Sequence, residues 1–142
     1  MIAMGSDHAG YEMKLVLAEH LKERGYEVKD FGTYSTDSCD YPDFAKAVAN
    51  AVVDGEAERG VLVCGTGIGM SIAANKVKGI RAAALSDEFS AQATREHNDA
   101  NILCLGARVI DNDKAIKLLD IFMDTPFSEG VNHIRRISKL EQ

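Results

Sequence analysis

Residues 60–71 read GVLVCGTGIGMS, and this stretch decides the fold. Its apolar run Val61–Cys64 lies between two glycines, which is typical of a strand buried on both faces of a parallel sheet. Alternating glycines follow the run, and a helix is predicted to begin within Gly67–Ser71 and to reach Lys76. A buried strand that passes through a tight loop into a helix is the repeating unit of α/β folds.

The same alternation of strand and helix continues on both sides of this stretch. Apolar residues at helical spacing occupy the segments between the strands, and Ser86 is predicted to cap the fourth helix. Five such units indicate one α/β domain over residues 1–142, with a doubly wound parallel sheet and helices on both faces. A basic tail, residues 128–142, is predicted to form a further helix. The other predicted strands are Ile2–Ser6, Tyr26–Phe31, Arg81–Leu85 and Ile102–Leu105.

The composition is that of a globular chain with an acidic balance. The 142 residues are 46% hydrophobic and carry a formal net charge of −6, which disfavours a nucleic acid or an anionic membrane as partner. No apolar run approaches the roughly 20 residues that cross a bilayer, and the N-terminus lacks the features of a signal peptide. Three cysteines without a CxxC pair predict free thiols in a reducing cytoplasm, rather than a disulfide or zinc framework.

Polar residues collect where the predicted strands end, which is where open α/β sheets bind their ligands. Asp7 and His8 follow the first strand, and Arg108 follows the fifth. His97 precedes the fifth strand, and we expect it to share a sheet edge with His8. Asp7 is interpreted as a base, as a ring-opening partner or as a cap of its own loop, and Arg108 as an anion ligand or an ordinary surface residue.

The loop Gly65–Gly69 is the sharpest local feature of the sequence. Its backbone N–H groups and the following helix N-terminus predict a cradle for an oxyanion or phosphate; the alternative is a tight turn without a ligand. Cys64 abuts the loop, where a helix N-terminus favours a thiolate, although most free cysteines are small buried residues. Cys39 and Cys104 lack such surroundings and are predicted to be inert. With no metal-ligand spacing, this set predicts metal-free proton transfer on a small phosphorylated molecule.

Longer motifs carry a resemblance over essentially the whole chain. They are GSDHAGYEMK at 5–14, DYPDFA at 40–45, CGTGIGMSIAANKVKGIRAA at 64–83, REHNDANILCLGARV at 95–109 and EGVNHIRRI at 129–137. In these motifs the chain resembles the ribose-5-phosphate isomerase B family, which is shared with galactose-6-phosphate isomerase subunits. The resemblance implies a flavodoxin-like sandwich in homodimers or homotetramers. It also implies interconversion of an aldose phosphate and a ketose phosphate through a cis-enediolate, without metal or cofactor.

The resemblance assigns roles to residues of the site. Cys64 matches the base of members that carry cysteine at the end of the third strand, whereas some members use a glutamate at the position of Met70. His97 matches the proton donor that opens the furanose ring, and Asp7 assists it. Thr66 adds a hydroxyl near the reacting oxygens. The further substrate contacts that the resemblance implies are His8 near the phosphate, Tyr41, Gly65, Gly67, Ile68, Gly69 and Asn98.

For the phosphate, the resemblance implies Arg108 together with Asn132, His133 and Arg136 of the tail, which the neighbouring subunit supplies. Asn132 stands where the family has an arginine, and His133 and Arg135 are the neighbours able to compensate.

The resemblance favours ribose 5-phosphate as substrate, because Cys64, His97 and His8 are all present. Three alternatives stay open at this point. The substrate is a hexose phosphate such as allose 6-phosphate or galactose 6-phosphate; the chain is a non-catalytic phosphate-binding module; or it is an inactive partner in a mixed isomerase.

Overall fold

Five parallel strands form one sheet in the computed structural model, which describes every residue from 1 to 142. The strands are β1 (Ile2–Ser6), β2 (Val28–Asp30), β3 (Arg59–Cys64), β4 (Ala82–Ala84) and β5 (Ile102–Gly106). The helices are α1 (Tyr11–Glu23), α2 (Tyr41–Val53), α3 (Ile68–Asn75), α4 (Glu88–Asn98), α5 (Asn112–Asp124) and α6 (Val131–Leu140). The predicted five-stranded parallel sheet with a tail helix is therefore confirmed.

Helices cover both faces of the sheet and create two cores. One core lies between the sheet and α1, α4 and α5, and the other lies between the sheet and α2 and α3. Strand β3 contributes to both, because Val61 and Val63 belong to the first core while Leu62 and Cys64 belong to the second. Successive side chains of a strand alternate between its faces, so a central strand must be apolar throughout.

The strand order is β2-β1-β3-β5-β4. It differs from the flavodoxin order 2-1-3-4-5 in that the last two strands exchange places. Burial gives a reason for the exchange: all five residues of β5 are buried, whereas the three alanines of β4 are half-buried or exposed. Alanine has little side chain to bury and is a poor strand former, so the more apolar strand takes the inner position.

Element boundaries follow the predictions except at short strands and at one cap. Strands β2 and β4 are each shorter than predicted, and β3 begins at Arg59 rather than Val61. The predicted cap Ser86 is wrong by one residue, because Asp87 occupies the N-cap of α4 and its carboxylate accepts a bond from the Ser90 N–H at 2.9 Å. Hydrogen bonds from Ser90 hold the pKa of Asp87 below its ordinary value.

The chain reverses its direction of winding between β1 and β3. Strand β2 lies beyond β1, whereas β5 and β4 lie beyond β3. A reversal of this kind opens a crevice outside the carboxyl ends of the two central strands. These ends are adjacent, since Ser6 of β1 pairs with Val63 of β3. The crevice therefore lies between Asp7 and the loop that follows Cys64.

Candidate active site

The loop after β3 lies beside the crevice and leaves several of its backbone N–H groups without an acceptor. Gly67 has φ of 81°, in the left-handed region, and a Cβ there would lie 3.0 Å from the Leu105 carbonyl carbon. Only glycine fits this position without strain. The N–H groups of Gly65, Thr66 and Gly69 have no acceptor within the chain. The loop is thus built to offer donors to an external oxygen atom.

Cys64 places its sulfur at the start of this loop. The side chain is 5% exposed, and Sγ accepts a hydrogen bond from the Gly67 N–H at 3.1 Å. The neighbouring thiol of Cys104 differs: burial, and to a smaller extent Cys64 nearby, raises the pKa of Cys104. Cys104 therefore keeps its proton, as expected for an inert buried residue, and Cys64 is the thiol at the crevice.

Two side chains predicted for the site lie directly against the glycine loop. The guanidinium of Arg108 lies over Gly65, where a Cβ would come within 3.5 Å of its Nη1, and the Arg108 N–H donates to the Gly65 carbonyl at 3.0 Å. The ring of Tyr41 lies over Gly69, where a Cβ would come within 2.9 Å of Cε1. Both side chains are exposed, so a bound molecule can reach them.

Asp7 and His8 complete this side of the crevice. Oδ1 of Asp7 accepts a hydrogen bond from the Gly10 N–H at 2.9 Å. Asp7 thus caps its own loop, which was one of the three roles considered from the sequence. Its other oxygen, Oδ2, makes no hydrogen bond within the chain. Nδ1 of His8 accepts the backbone N–H of Cys39 at 3.4 Å. With Nδ1 engaged as an acceptor, Nε2 is the ring nitrogen left to donate a hydrogen bond to a ligand.

His97 and Asn98 do not lie at this edge of the sheet. Helix α4 follows β4 and leads back into β5, so its last residues lie at the amino ends of the strands. Arg81, which directly precedes β4, donates from Nε to the Asn98 carbonyl at 2.9 Å. Eleven helical residues span about 16 Å. The expectation that His8 and His97 share an edge is therefore wrong within one chain, because a helix between parallel strands must return the full height of the sheet.

The tail helix α6 lies beside the end of α4. The ring of His133 stacks on that of His97, with centroids 4.5 Å apart and planes 12° from parallel. Ser128, just before α6, donates from its N–H and Oγ to the Glu96 carbonyl. No residue of α6 is buried. Asn132 lies one residue before His133, and its Oδ1 accepts a bond from Arg135 at 3.0 Å.

The predicted site residues thus form two groups. The loop cluster, at the carboxyl edge, comprises Asp7, His8, Tyr41, Cys64, Gly65–Gly69 and Arg108. The tail cluster, at the amino edge, comprises His97, Asn98, Asn132, His133 and Arg136. Within one chain, the structure assembles each cluster but does not bring the two together.

The fully buried Lys14 was not among the residues predicted from the sequence. Its ammonium group pairs with Asp30 at 2.8 Å and donates to the Thr33 carbonyl, and the rings of Tyr11 and Tyr34 lie 5.3 and 5.6 Å from it. The helical spacing of α1 could have indicated that Lys14 is buried, because Lys14 stands three residues before Leu17 on the buried face of this helix. His20 of α1 is half-buried, and its Nε2 lies 2.8 Å from Oδ1 of Asp120.

Two observations bear on classes of ligand and location. No three His, Cys, Asp or Glu side chains come together as a metal site would require. None of the helices combines the length and the apolar character that crossing a bilayer demands.

Comparisons with known proteins give one consistent family. The family model described as Ribose/Galactose Isomerase matches residues 2–140. Ribose-5-phosphate isomerase B of Escherichia coli K12 is 46% identical over 139 residues, covering 98% of this chain and 93% of that protein. A Listeria innocua protein named ribose-5-P isomerase B is 47% identical over 129 residues, covering 91% of this chain and 87% of its own length.

Solved structures agree with the sequence matches. Ribose-5-phosphate isomerase B of Clostridium thermocellum superposes with a TM-score of 0.97 at 52% identity, covering 99% of this chain and 94% of that one. The Mycoplasma genitalium enzyme, solved with bound ribulose 5-phosphate, has a TM-score of 0.94 at 42% identity, covering 99% and 93%. Because the family model matches nearly the whole chain and the relatives agree with it in sequence and fold, this chain belongs to the ribose/galactose isomerase family, on its ribose-5-phosphate isomerase B branch.

Proposed function

We propose that the chain interconverts ribose 5-phosphate and ribulose 5-phosphate through a cis-enediolate, with Cys64 as the base. The observation that carries the proposal is the sulfur of Cys64 held at a loop in which the N–H groups of Gly65, Thr66 and Gly69 have no acceptor within the chain. The relatives named ribose-5-phosphate isomerase B, one of them solved with ribulose 5-phosphate, support this substrate.

The chemical problem is the weak acidity of the C2 proton of the open-chain aldose. Its removal leaves negative charge on the former carbonyl oxygen. Preorganised donors aimed at such an oxygen contribute about 3–4 kcal/mol each, and Gly65, Thr66 and Gly69 have such donors free. The Thr66 Oγ accepts the Ile68 N–H at 3.2 Å, so its own hydroxyl hydrogen is free to bond a second substrate oxygen.

Cys64 then moves one proton between adjacent carbons. The thiolate takes the proton from C2, the C–H electron pair forms the C1–C2 double bond, and the thiol returns the proton to C1. The hydroxyl proton at O2 passes to O1, which leaves a ketone at C2. A positioned general base contributes about 10²- to 10⁴-fold. Substrate and product are isomers, so the reaction needs no redox cofactor.

We further propose that each active site combines the loop cluster of one chain with the tail cluster of its partner. The chain would act as one unit over residues 1–142, with residues 128–142 reaching the neighbouring subunit of a homodimer or homotetramer. The partner's His97 would protonate the ring oxygen of the furanose, assisted by Asp7, while Tyr41 and the partner's Asn98 contact the sugar. His8, Arg108, the partner's His133 and the partner's Arg136 would hold the phosphate. The separation of the clusters within one chain supports this arrangement.

Free thiols support a reducing, cytoplasmic location for this activity. All three cysteines are unpaired, and oxidation of Cys64 would remove the proposed base.

The test is a direct assay with two substrates. The pure chain is incubated with ribose 5-phosphate in EDTA, and ribulose 5-phosphate is followed by its absorbance or by NMR. Specificity constants for ribose 5-phosphate and allose 6-phosphate are measured side by side, because Asn132 alters the predicted phosphate clamp. We expect the pentose to be preferred. Absence of ribulose 5-phosphate would overturn the proposal, and preference for the hexose would reassign the substrate.

A further inference from the structure

Most arginines of this chain use their guanidinium donors within the fold. Arg59 and Arg95, for example, donate to backbone carbonyl oxygens at the end of α5. Arg108, Arg135 and Arg136 are different: none forms an ion pair, and none of their guanidinium groups donates to a backbone carbonyl oxygen. Exposed guanidinium groups with unused donors are the groups that bind carboxylate or phosphate in two-point contacts.

Arg135 is the one of these three with a fixed position. Its Nη1 donates to Oδ1 of Asn132 at 3.0 Å, across three residues of α6. Long side chains of a helix lean toward its N-terminus, so the guanidinium lies back over the turn that carries Asn132. Residues four apart share a helix face, which brings Arg136 to the same side. This bond uses one of the five N–H donors of the Arg135 guanidinium. Because the Asn132 amide is uncharged, the bond does not neutralise the positive charge of Arg135.

Nothing acidic offsets this charge. Helix α6 contains no Asp or Glu, and of the two flanking acids, Glu141 pairs with Arg81 at 2.6 Å while Glu129 forms no ion pair. Arg135 and Arg136 both carry a positive charge, and a bound anion would attract both guanidinium groups. On a chain of net charge −6, two unpaired guanidinium groups on one turn form a site for a doubly charged oxyanion.

We propose that Arg135 is a phosphate ligand of the shared active site, and that Asn132 is the positioning residue that holds it. The inference rests on the proposed function, which places α6 over the partner's crevice. In this arrangement the clamp consists of Arg135 and Arg136 from one chain and Arg108 from the other. Asn132 then contributes to phosphate binding by orienting the guanidinium of Arg135, because its own side chain carries no charge.

The experiment compares Arg135→Met with the matched control Lys139→Met, which removes a cation without an ion-pair partner from the next turn of the same helix. For each homogeneous enzyme we would measure kcat, KM and the inhibition constant of inorganic phosphate. Arg135→Met should raise KM and the phosphate inhibition constant about 10-fold or more, with kcat changed by less than about twofold. Lys139→Met should change each constant by less than about twofold, and Arg135→Lys should recover only part of the loss.

A second comparison tests the positioning role of Asn132. Asn132→Ala alone should raise KM about threefold, and it should add nothing further to Arg135→Met, because the two residues act as a unit. Additive effects would exclude this role. If Arg135→Met is indistinguishable from Lys139→Met, Arg135 is an ordinary surface residue and the inference fails while the activity stands. If the wild-type chain is inactive, the proposed function fails instead, and calorimetric titration of inorganic phosphate into the same proteins still decides whether Arg135 binds it.

Discussion

At the scale of single residues, Cys64 differs from the other cysteines in its surroundings rather than in its chemistry. Its sulfur accepts a backbone N–H, whereas Cys104 lies fully buried on β5 and the sulfur of Cys39 lies 3.8 Å from Nδ1 of His8. The three cysteine thiols are chemically identical. Cys64 is the candidate base because its thiol lies beside a helix N-terminus.

We expect Cys64→Ala to abolish isomerisation while the fold is retained. Turnover should fall by about 10²-fold or more, and exchange of solvent deuterium into C2 of ribose 5-phosphate, followed by NMR, should disappear. Cys39→Ala is the matched control, because alanine keeps the backbone N–H that bonds His8, and its exchange should remain near the wild-type rate. Exchange that persists in Cys64→Ala would exclude this residue as the base.

Ser6 offers a test of packing at the same scale. Its Oγ is fully buried at the end of β1 and has no hydrogen-bond partner, and an unsatisfied buried group costs about 1–3 kcal/mol. Ser6→Ala should therefore raise the free energy of unfolding by about 1 kcal/mol, measured by urea denaturation. Ser71→Ala serves as the comparison, since its Oγ donates to the Ile68 carbonyl at 2.8 Å, and it should not stabilise. A Ser6→Ala chain that is less stable than wild type would show that the hydroxyl is satisfied.

At the scale of elements, the buried side chain of Lys14 holds the segment between β2 and α2 in place. Asp30 links Lys14 to this segment. Its Oδ1 accepts hydrogen bonds from the Lys14 ammonium and from the Gly32 N–H, each at 2.8 Å. The same segment pairs with the end of β1 through the bond from the Ser6 N–H to the Gly32 carbonyl. One buried cation therefore connects α1, β2 and the end of β1, which Asp7 and His8 directly follow.

Removing that cation should loosen the segment. Lys14→Met is expected to lower the free energy of unfolding by about 1–3 kcal/mol, because the Thr33 carbonyl loses a donor and Asp30 loses its partner. Hydrogen exchange at the amides of Ser6 and Thr33 should accelerate more than elsewhere in β1. Lys29→Met removes an exposed ion pair of the same length, with Glu56 at 2.8 Å, and should change stability by less than about 0.5 kcal/mol. Equal effects of the two substitutions would contradict the anchoring role.

The elements themselves were largely predictable from the sequence, because periodicity and capping act over a few residues. The apolar run Val61–Cys64 and the glycine loop after it were placed correctly on those grounds. Contacts between distant segments were not predictable in this way. The bond from the Cys39 N–H to His8 and the stack of His133 on His97 depend on tertiary packing, and neither partner carries a local signal of the other.

At the scale of the whole molecule, the misjudged position of His97 has a clear physical origin. The sequence shows that a polar residue lies near a strand, but it does not show at which edge of the sheet. The carboxyl edge is where a helix begins, and the amino edge is where it returns. Helix α4 separates these two edges by its full length. The strand order was also beyond the sequence, since β4 and β5 follow each other in the chain but β5 is inserted beside β3. The family resemblance supplied the predicted site residues, and the topology divides these residues into two clusters.

A mixing experiment decides whether these clusters meet across a subunit boundary. Cys64→Ala and Arg136→Ala chains should each be nearly inactive alone, whereas purified mixed dimers should recover about half of wild-type activity, because one of the two sites is intact. The control pairs Cys64→Ala with Arg108→Ala. Both defects then lie in the loop cluster, so neither site is complete and no recovery is expected. Failure of verified Cys64→Ala and Arg136→Ala heterodimers to recover would restrict each site to a single chain.

The distance between the two clusters also has a consequence for inheritance. If the sites are shared between two subunits as proposed, a chain with one lesion, such as Cys64→Ala, leaves one working site in every dimer it forms with a wild-type chain, so the lesion should be recessive. A chain with both Cys64→Ala and Arg136→Ala spoils each site of such a dimer. Produced in equal amount with the wild type, it should silence about half of the wild-type chains. Two recessive lesions would thus become dominant when they are carried on the same copy of the gene.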